Sequence, residues 1–152
     1  MSLNKHAAEL MVQGRDLPWL LNQWVKRTPD KAFLIWAPTD AEPKTWSYAG
    51  FEADVRAVAG GLAEKGVRKG QRLLIHMENC PELLITHFAC AYLGAVAVHT
   101  NTRLTARELC DLVLLTEVVA LVTQPQYGAQ LQDCDIALRV ITDNNAGLPF
   151  DL

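Results

Sequence analysis

A short polar run, HTNTR from His99 to Arg103, contains the side chains best suited to chemistry in this sequence. It follows the apolar residues Ala95 to Val98, which predict a strand buried on both faces of a parallel sheet. Ligands of such sheets bind outside the carboxyl ends of the strands, where this run would lie. The planar guanidinium of Arg103 could hold a phosphate. The alternative is a plain polar turn at Asn101 and Thr102 with a solvated arginine, and the pattern alone favours it.

Cysteine and histidine residues give a weaker metal-binding signal. No pair of cysteines has the C-x-x-C spacing of a zinc knuckle or a thioredoxin motif; the four are Cys80, Cys90, Cys110 and Cys134. The first three lie in or beside apolar helical segments, so we expect reduced thiols that pack as small core residues. His87 and Cys90 could share a helical face, but no third ligand lies at a useful spacing, so we predict no metal site.

Motifs for dinucleotide binding or nucleophilic catalysis are missing from the sequence. A G-x-G-x-x-G fingerprint should open a helix, whereas Gly60, Gly61 and Gly66 lie inside or after one. There is also no G-x-x-x-x-G-K-[ST] phosphate loop. A Ser/His/Asp triad is compatible with any spacing because it assembles in space. However, no G-x-S-x-G elbow occurs, and Ser2 and Ser47 are the only serines.

Length and composition indicate one globular domain. The chain has 152 residues, of which 50% are hydrophobic and 20% charged, with a net charge of −3. That charge gives no electrostatic footprint for nucleic acid. The longest apolar run, Leu83 to Val98, is interrupted by polar residues and shorter than the roughly 20 residues of a membrane-spanning helix. The N-terminus lacks the apolar core of a signal peptide, so we expect a cytoplasmic protein.

Apolar spacing and capping residues predict the helices. A first helix places Leu17, Leu20, Leu21 and Trp24 on one face, and a second begins at Ser47 and ends at Gly66. The third helix carries the long apolar run, with Asn79 as its N-cap, Pro81 in its first turn and Gly94 as a left-handed stop. Thr105 and Glu108 form a capping box for the fourth, and a short polar helix or turn spans residues 125–132.

The strands predicted between these helices define an α/β fold. Lys31 to Trp36 and Lys44 to Trp46 form an N-terminal hairpin that we expect at an edge of the sheet. The further strands are predicted at residues 72–77, 95–98, 118–123 and 138–142. Because helices and strands alternate, we predict a parallel sheet with helices on its faces. The whole chain is expected to form a single partial domain, with residues 1–15 and 143–152 poorly ordered.

Four segments between Asp16 and about Tyr127 resemble the N-terminal region of the adenylate-forming (AMP-binding) enzymes. This family includes acyl-CoA synthetases, peptide-synthetase adenylation domains and luciferases. The segments occur in the family's order and at natural spacing: RTPDKAFLIW, TWSYAGF, GVRKGQRLLIHMENCPEL and YLGAVAVHTNTRLTAREL. The segments ENCPEL and NTRLTAREL are most similar to those of acyl-CoA synthetases, including carnitine or crotonobetaine CoA ligases. One departure is Gly50, where the family has a glutamate that would complete the cap begun by Ser47.

The resemblance implies an ATP-dependent acid–thiol ligase. A carboxylic acid attacks ATP to give an acyl-adenylate and pyrophosphate, and a thiol, usually coenzyme A, then displaces AMP, with magnesium neutralising phosphate charge. In some CoA ligases the arginine of an N-x-R-L turn helps to hold the nucleotide phosphate of CoA, and Arg103 matches that position. The family's Ser/Thr/Gly-rich phosphate loop and its C-terminal lysine are not in this sequence.

We therefore expect an N-terminal fragment of such an enzyme that is inactive alone and binds no cofactor tightly. It would self-associate through an apolar face that the rest of the enzyme covers. The alternative is a complete small α/β binding or interaction module without catalysis. A nucleotide-binding Rossmann-like domain is a third hypothesis, disfavoured by the missing glycine fingerprint. The acid that is activated, the choice between CoA and a carrier-protein thiol, and the oligomeric state do not follow from the sequence.

Overall fold

The computed structural model of the chain describes residues 14–142. The helices are α1 (Leu17–Arg27), α2 (Tyr48–Glu64), α3 (Pro81–Leu93) and α4 (Ala106–Thr116), with a 3₁₀ helix at Pro125–Leu131. The strands are β1 (Ala32–Trp36), β2 (Lys44–Ser47), β3 (Arg72–His76), β4 (Val96–His99), β5 (Ala120–Thr123) and β6 (Leu138–Ile141). Apart from Gly14 and Arg15, the termini expected to be poorly ordered lie outside the described residues. No helix in the described range is long and apolar enough to cross a membrane.

A four-stranded parallel sheet forms the centre of the fold. Its strand order is β4-β3-β5-β6, and each neighbouring pair runs parallel. β3 lies between β4 and β5, with Ile75 opposite His99 on one side and Val122 on the other. This confirms the predicted α/β class, and it brings the carboxyl ends of β3, β4 and β5 to one edge. The expectation that the strand after Gly94 is buried on both faces was wrong, because β4 is an edge strand and none of its residues is fully buried.

The two faces of the sheet carry separate layers of helices. Alternate residues of β3 divide between them, because Leu73 and Ile75 pack with α2 and α3 while Leu74 packs with α4. Phe51, in α2, is fully buried at the centre of the first layer. The second layer is thinner and consists of α4, the 3₁₀ helix and the loop after it, which contribute Leu109, Val113, Leu131, Cys134 and Ile136.

The N-terminal hairpin does not lie at an edge of the main sheet, so that expectation was wrong. β1 and β2 form a separate two-stranded antiparallel sheet. The hairpin is held by aromatic packing against the helices: the Phe33 ring lies 4.6 Å from that of Phe51 and 6.3 Å from that of Phe88. Aromatic contacts with α2 and α3, and not strand hydrogen bonds to the main sheet, therefore attach the hairpin to the rest of the domain.

Local capping signals were mostly predicted correctly. Gly94 has the expected left-handed conformation, with φ of 68°, and Thr105 and Glu108 form the capping box. The exception is Asn79, because the N-cap of α3 is Cys80, which makes no side-chain capping hydrogen bond. Pro81 is the first helical residue and disfavours helical geometry in the residue before it, so the boundary falls at Cys80.

Helix α1 buries less of its predicted apolar face than the pattern indicates. Only Leu21 is buried, whereas Leu20 and Trp24 remain exposed at the surface. The Asp16 carboxylate accepts a hydrogen bond from the Trp19 amide and begins the helix.

The expectation of reduced cysteines was wrong for one pair. Cys110 in α4 and Cys134 in the loop after the 3₁₀ helix form a disulfide, with their Cα atoms 4.9 Å apart. The two positions are 24 residues apart and approach only through packing of the second layer, so no local spacing pattern reveals them. Cys80 and Cys90 are free thiols, and burial raises the pKa of each to about 12.

Candidate functional site

A polar depression lies at the carboxyl edge of the sheet. It has a volume of about 470 Å³, and its lining consists of Met77, Glu78, Asn79, Thr100, Asn101 and Thr102. Residues 77–79 follow β3 and residues 100–102 follow β4, so the two walls are the loops that leave neighbouring parallel strands. Three residues of the polar run singled out in the sequence, Thr100 to Thr102, therefore line a depression at the carboxyl edge of the sheet.

The loop after β4 is a hydrogen-bonded turn, and the side chain of Arg103 is exposed to solvent. The Asn101 side-chain oxygen accepts a hydrogen bond from the Arg103 amide at 2.9 Å, and the Leu104 amide donates to the Asn101 carbonyl at 3.1 Å. The capping box of Thr105 then begins α4. Arg103 is exposed, and no carboxylate among residues 14–142 forms an ion pair with it. Its guanidinium is thus available to an anion.

The opposite wall is fixed by contacts from the 3₁₀ helix. The Tyr127 hydroxyl donates a hydrogen bond to the Glu78 carboxylate at 2.7 Å, which raises the pKa of Tyr127. The Glu78 amide donates to the Gln124 side chain at 3.0 Å. Glu78 places a carboxylate on this wall, and Arg103 follows Thr102, the last residue of the opposite wall.

A buried histidine lies at the centre of this edge and was missed in the sequence. His76, the last residue of β3, has no exposed surface. Its Nδ1 is 2.7 Å from the Thr100 hydroxyl and its Nε2 is 3.1 Å from Oε1 of Gln130. Burial lowers the pKa of His76, and the Gln130 contact opposes this only in part. The only signal in the sequence was one histidine closing the apolar strand RLLIH, which has no diagnostic value alone.

The structure pairs His87 with His99 and leaves Cys90 apart. His87 Nδ1 is 2.9 Å from His99 Nε2, and partial burial and then the charge of His87 lower the pKa of His99. Cys90 is fully buried. Among the described residues, no group of three or more His, Cys, Asp or Glu side chains could hold a metal ion.

Among the described residues at this edge, the side chains are polar and Arg103 is an exposed cation, and no nucleophile is paired with a base. Ser47 is occupied as the N-cap of α2, where it accepts from the Gly50 amide at 3.1 Å. The class that fold and site define is a parallel α/β domain with its ligand-binding edge at the carboxyl ends of the strands.

The sequence profile of the AMP-binding enzyme family matches residues 21–148. The chain belongs to this family. It is 30% identical over 145 residues to the crotonobetaine/carnitine–CoA ligase of Salmonella typhimurium strain LT2. That match covers 93% of this chain and 28% of the ligase, so the chain spans less than a third of its curated relative.

Solved structures show the same fold. The inhibitor-bound N-terminal domain of FACL13 from Mycobacterium tuberculosis matches with a TM-score of 0.76 at 24% identity, over 84% of this chain and 33% of that one. O-succinylbenzoate coenzyme A synthetase from Bacillus subtilis, in complex with ATP and magnesium ion, matches with a TM-score of 0.68 at 26% identity, over 78% and 32%. A double mutant of that synthetase bound with its product analogue OSB-NCoA has a TM-score of 0.69 at 27% identity, over 78% and 23%.

Proposed function

We propose that this chain is the N-terminal part of an ATP-dependent acid–thiol ligase of the acyl-CoA synthetase type. The observation that carries the proposal is the match of 93% of the chain to a curated CoA ligase. In the proposed reaction a carboxylate oxygen of the acid attacks ATP and displaces pyrophosphate, giving an acyl-adenylate. The thiol of coenzyme A then attacks the acyl carbon and displaces AMP. Because ATP and coenzyme A are cytoplasmic metabolites, the proposal places the reaction in the cytoplasm.

The part of this reaction that we assign to the described residues is a contact to coenzyme A. Arg103 is held by its backbone directly after Thr102, a lining residue of the depression, and its side chain is exposed. A planar guanidinium there can pair with a phosphate of the nucleotide end of coenzyme A. Exposure keeps this contact modest, about 1 kcal/mol, which corresponds to roughly a fivefold change in affinity.

In this proposal, ATP and magnesium are bound by groups other than residues 14–142. The synthetase relative binds both, according to its structure. Here the residues 14–142 contain no cluster of three or more potential metal-ligating side chains, so they do not fit a magnesium site. The sequence also lacks the phosphate loop that cradles ATP in the family. We therefore expect this chain to form no acyl-adenylate by itself.

Pyrophosphate release tests the last expectation. The purified chain is incubated with ATP, magnesium and a panel of carboxylic acids that includes carnitine and crotonobetaine. We expect release no faster than in a sample without protein. Release that depends on both the acid and the chain would show that residues of this chain suffice for adenylation.

The role of Arg103 is tested in a full-length ligase that carries this chain. We expect Arg103→Ala to raise the KM for coenzyme A by roughly fivefold and to leave acid-dependent pyrophosphate exchange unchanged. Arg107→Ala is the matched control, because Arg107 is an exposed arginine only four residues further along, in the first turn of α4. An unchanged KM for coenzyme A in Arg103→Ala, or an equal rise in Arg107→Ala, would refute the phosphate contact.

A further inference from the structure

His76 connects the ends of β3 and β4 with the 3₁₀ helix. It ends the central strand β3, and its two ring nitrogens contact Thr100, directly after β4, and Gln130, in the 3₁₀ helix after β5. These partners are 24 and 54 residues away along the chain. A fully buried imidazole with both nitrogens hydrogen-bonded is a fixed link, because breaking either contact leaves a buried polar atom unsatisfied.

The direction of each hydrogen bond follows from the partners. Oε1 of Gln130 can only accept, so the Nε2 atom that faces it at 3.1 Å carries the proton. Nδ1 of the neutral ring then accepts from the Thr100 hydroxyl at 2.7 Å. The same hydroxyl lies 3.2 Å from the Ile75 carbonyl, which is its alternative acceptor. The ring therefore adds a side-chain contact to the backbone hydrogen bond that the Thr100 amide donates to the Ile75 carbonyl at 3.2 Å, and the two together hold Thr100 against the end of β3.

Both walls of the depression depend on what this ring holds. On one side, Thr100 is followed at once by Asn101, whose side chain and carbonyl organise the turn that presents Arg103. On the other side, Tyr127 of the 3₁₀ helix packs its ring edge-on against His76, with centroids 5.1 Å apart, and donates to Glu78. A displacement of the imidazole would therefore reach the loop after β4 and the loop after β3 together.

We propose that His76 is a positioning residue. Its hydrogen bond to Thr100 fixes the loop that presents Arg103 to a phosphate of coenzyme A. The ligand part of this inference rests on the proposed function. The inference that His76 fixes the loop after β4 does not depend on the ligand, because it concerns only contacts among the described residues. His76 itself does not touch the ligand in this proposal, because its side chain is fully buried and does not line the depression.

Two amide substitutions separate the two ring contacts. The Asn side-chain amide is equivalent in reach to Nδ1, so His76→Asn keeps the contact to Thr100 and loses the one to Gln130. The longer Gln amide is equivalent to Nε2, so His76→Gln keeps Gln130 and loses Thr100. Thr100→Val removes the same contact from the other side. Thr86→Val is the control, because it makes the same substitution at a buried threonine whose hydroxyl donates within α3, to the Glu82 carbonyl, and does not contact the loop after β4.

Amide hydrogen exchange of Arg103 and Leu104, measured by NMR on the purified chain, is the primary test. Both amides donate within the loop, so their protection reports on its order. We expect exchange about tenfold faster in His76→Gln and Thr100→Val, the ratio that corresponds to one hydrogen bond. His76→Asn and Thr86→Val should match the wild-type chain. Equal protection in all five proteins, or equal loss in the Asn and Gln variants, would overturn the proposal.

The kinetic test uses a full-length ligase that carries the chain. His76→Gln should raise the KM for coenzyme A by the same factor as Arg103→Ala, without changing acid-dependent pyrophosphate exchange, and the double variant should add nothing. A fall in both half-reactions would contradict positioning and indicate general damage. If Arg103→Ala itself has no effect while loop exchange still follows the variants, the coenzyme A assignment fails and His76 remains the residue that fixes the loop.

Discussion

Reduction of the Cys110–Cys134 disulfide should destabilise the chain by a predictable amount. The bond joins α4 to the loop after the 3₁₀ helix across a sequence separation of 24 residues. In the chain-entropy model, a cross-link of this span lowers the entropy of the unfolded chain enough to stabilise the fold by about 3.5 kcal/mol. We therefore expect the reduced protein to have a free energy of unfolding lower by about that amount.

The measurement is urea denaturation, followed by the fluorescence of the four tryptophans, with and without a phosphine reductant. With a denaturant slope of about 2 kcal/mol per molar urea, the midpoint should fall by about 1.7 M on reduction. A Cys110→Ala/Cys134→Ala double variant is the control. It should start from a low midpoint and show no response to the reductant.

A thiol count decides whether the bond forms at all. It must be made on the unfolded, unreduced protein, because burial raises the pKa of Cys80 and Cys90 to about 12 and makes both unreactive in the folded state. We expect two titratable thiols out of four cysteines. Four thiols would show that the pair is reduced, and a midpoint shift below about 0.5 M would refute the loop-closure reasoning.

Further predictions concern the core, a cap, pH and association. Phe51→Ala should lower the free energy of unfolding by about 4 kcal/mol, because its fully buried ring contacts two other aromatic rings; a loss below about 2 kcal/mol in urea denaturation would contradict this packing. Thr105→Ala should cost about 1 kcal/mol in the same assay, through loss of the capping box, and no change would refute that role. Because burial lowers the pKa of His76, the unfolded chain takes up its proton first, and stability should fall as the pH drops below about 6.5. The pKa of His99 is lowered too, so His76→Asn should reduce, but not abolish, the fall of the urea midpoint between about pH 8 and pH 5, and an unchanged profile would contradict the role of His76. Leu114 and Leu115 are 71% and 81% exposed, so the mass from sedimentation should rise with concentration and Leu115→Glu should suppress the rise; a strict monomer would refute it.

Elements fixed by nearby residues were predictable from the sequence. The stop at Gly94 needs a residue that tolerates positive φ, and the start at Thr105 needs an acceptor and a glutamate three residues later, so both signals are local. The parallel sheet followed from the alternation of such segments. The start of α3 was misplaced by one residue, because the restriction that Pro81 imposes on Cys80 outweighed the capping preference of Asn79.

Features that depend on distant partners were not predictable in the same way. The hairpin position is decided by the packing of Phe33 on α2 and α3, and the disulfide by the approach of Cys134 to α4. Neither partner is marked by a spacing in the sequence. The same is true of His76, whose partner Gln130 lies in a segment that the sequence indicates only as a short polar helix or turn.

The candidate site depends at Thr100 on both a local sequence motif and a contact with a distant residue. The turn from Asn101 to Arg103 is a local motif, since it is closed by the Asn101 side chain and followed by a capping box. Its place after a parallel strand was predicted, although that strand lies at an edge of the sheet and is not buried on both faces. Its attachment to the rest of the domain is not local, because Thr100 is held by a histidine of the neighbouring strand. The motif alone thus accounts for the shape of the turn, whereas the direction in which it presents Arg103 depends on a buried contact outside it. A substitution at His76 should therefore alter ligand binding at Arg103 without changing any residue of the motif.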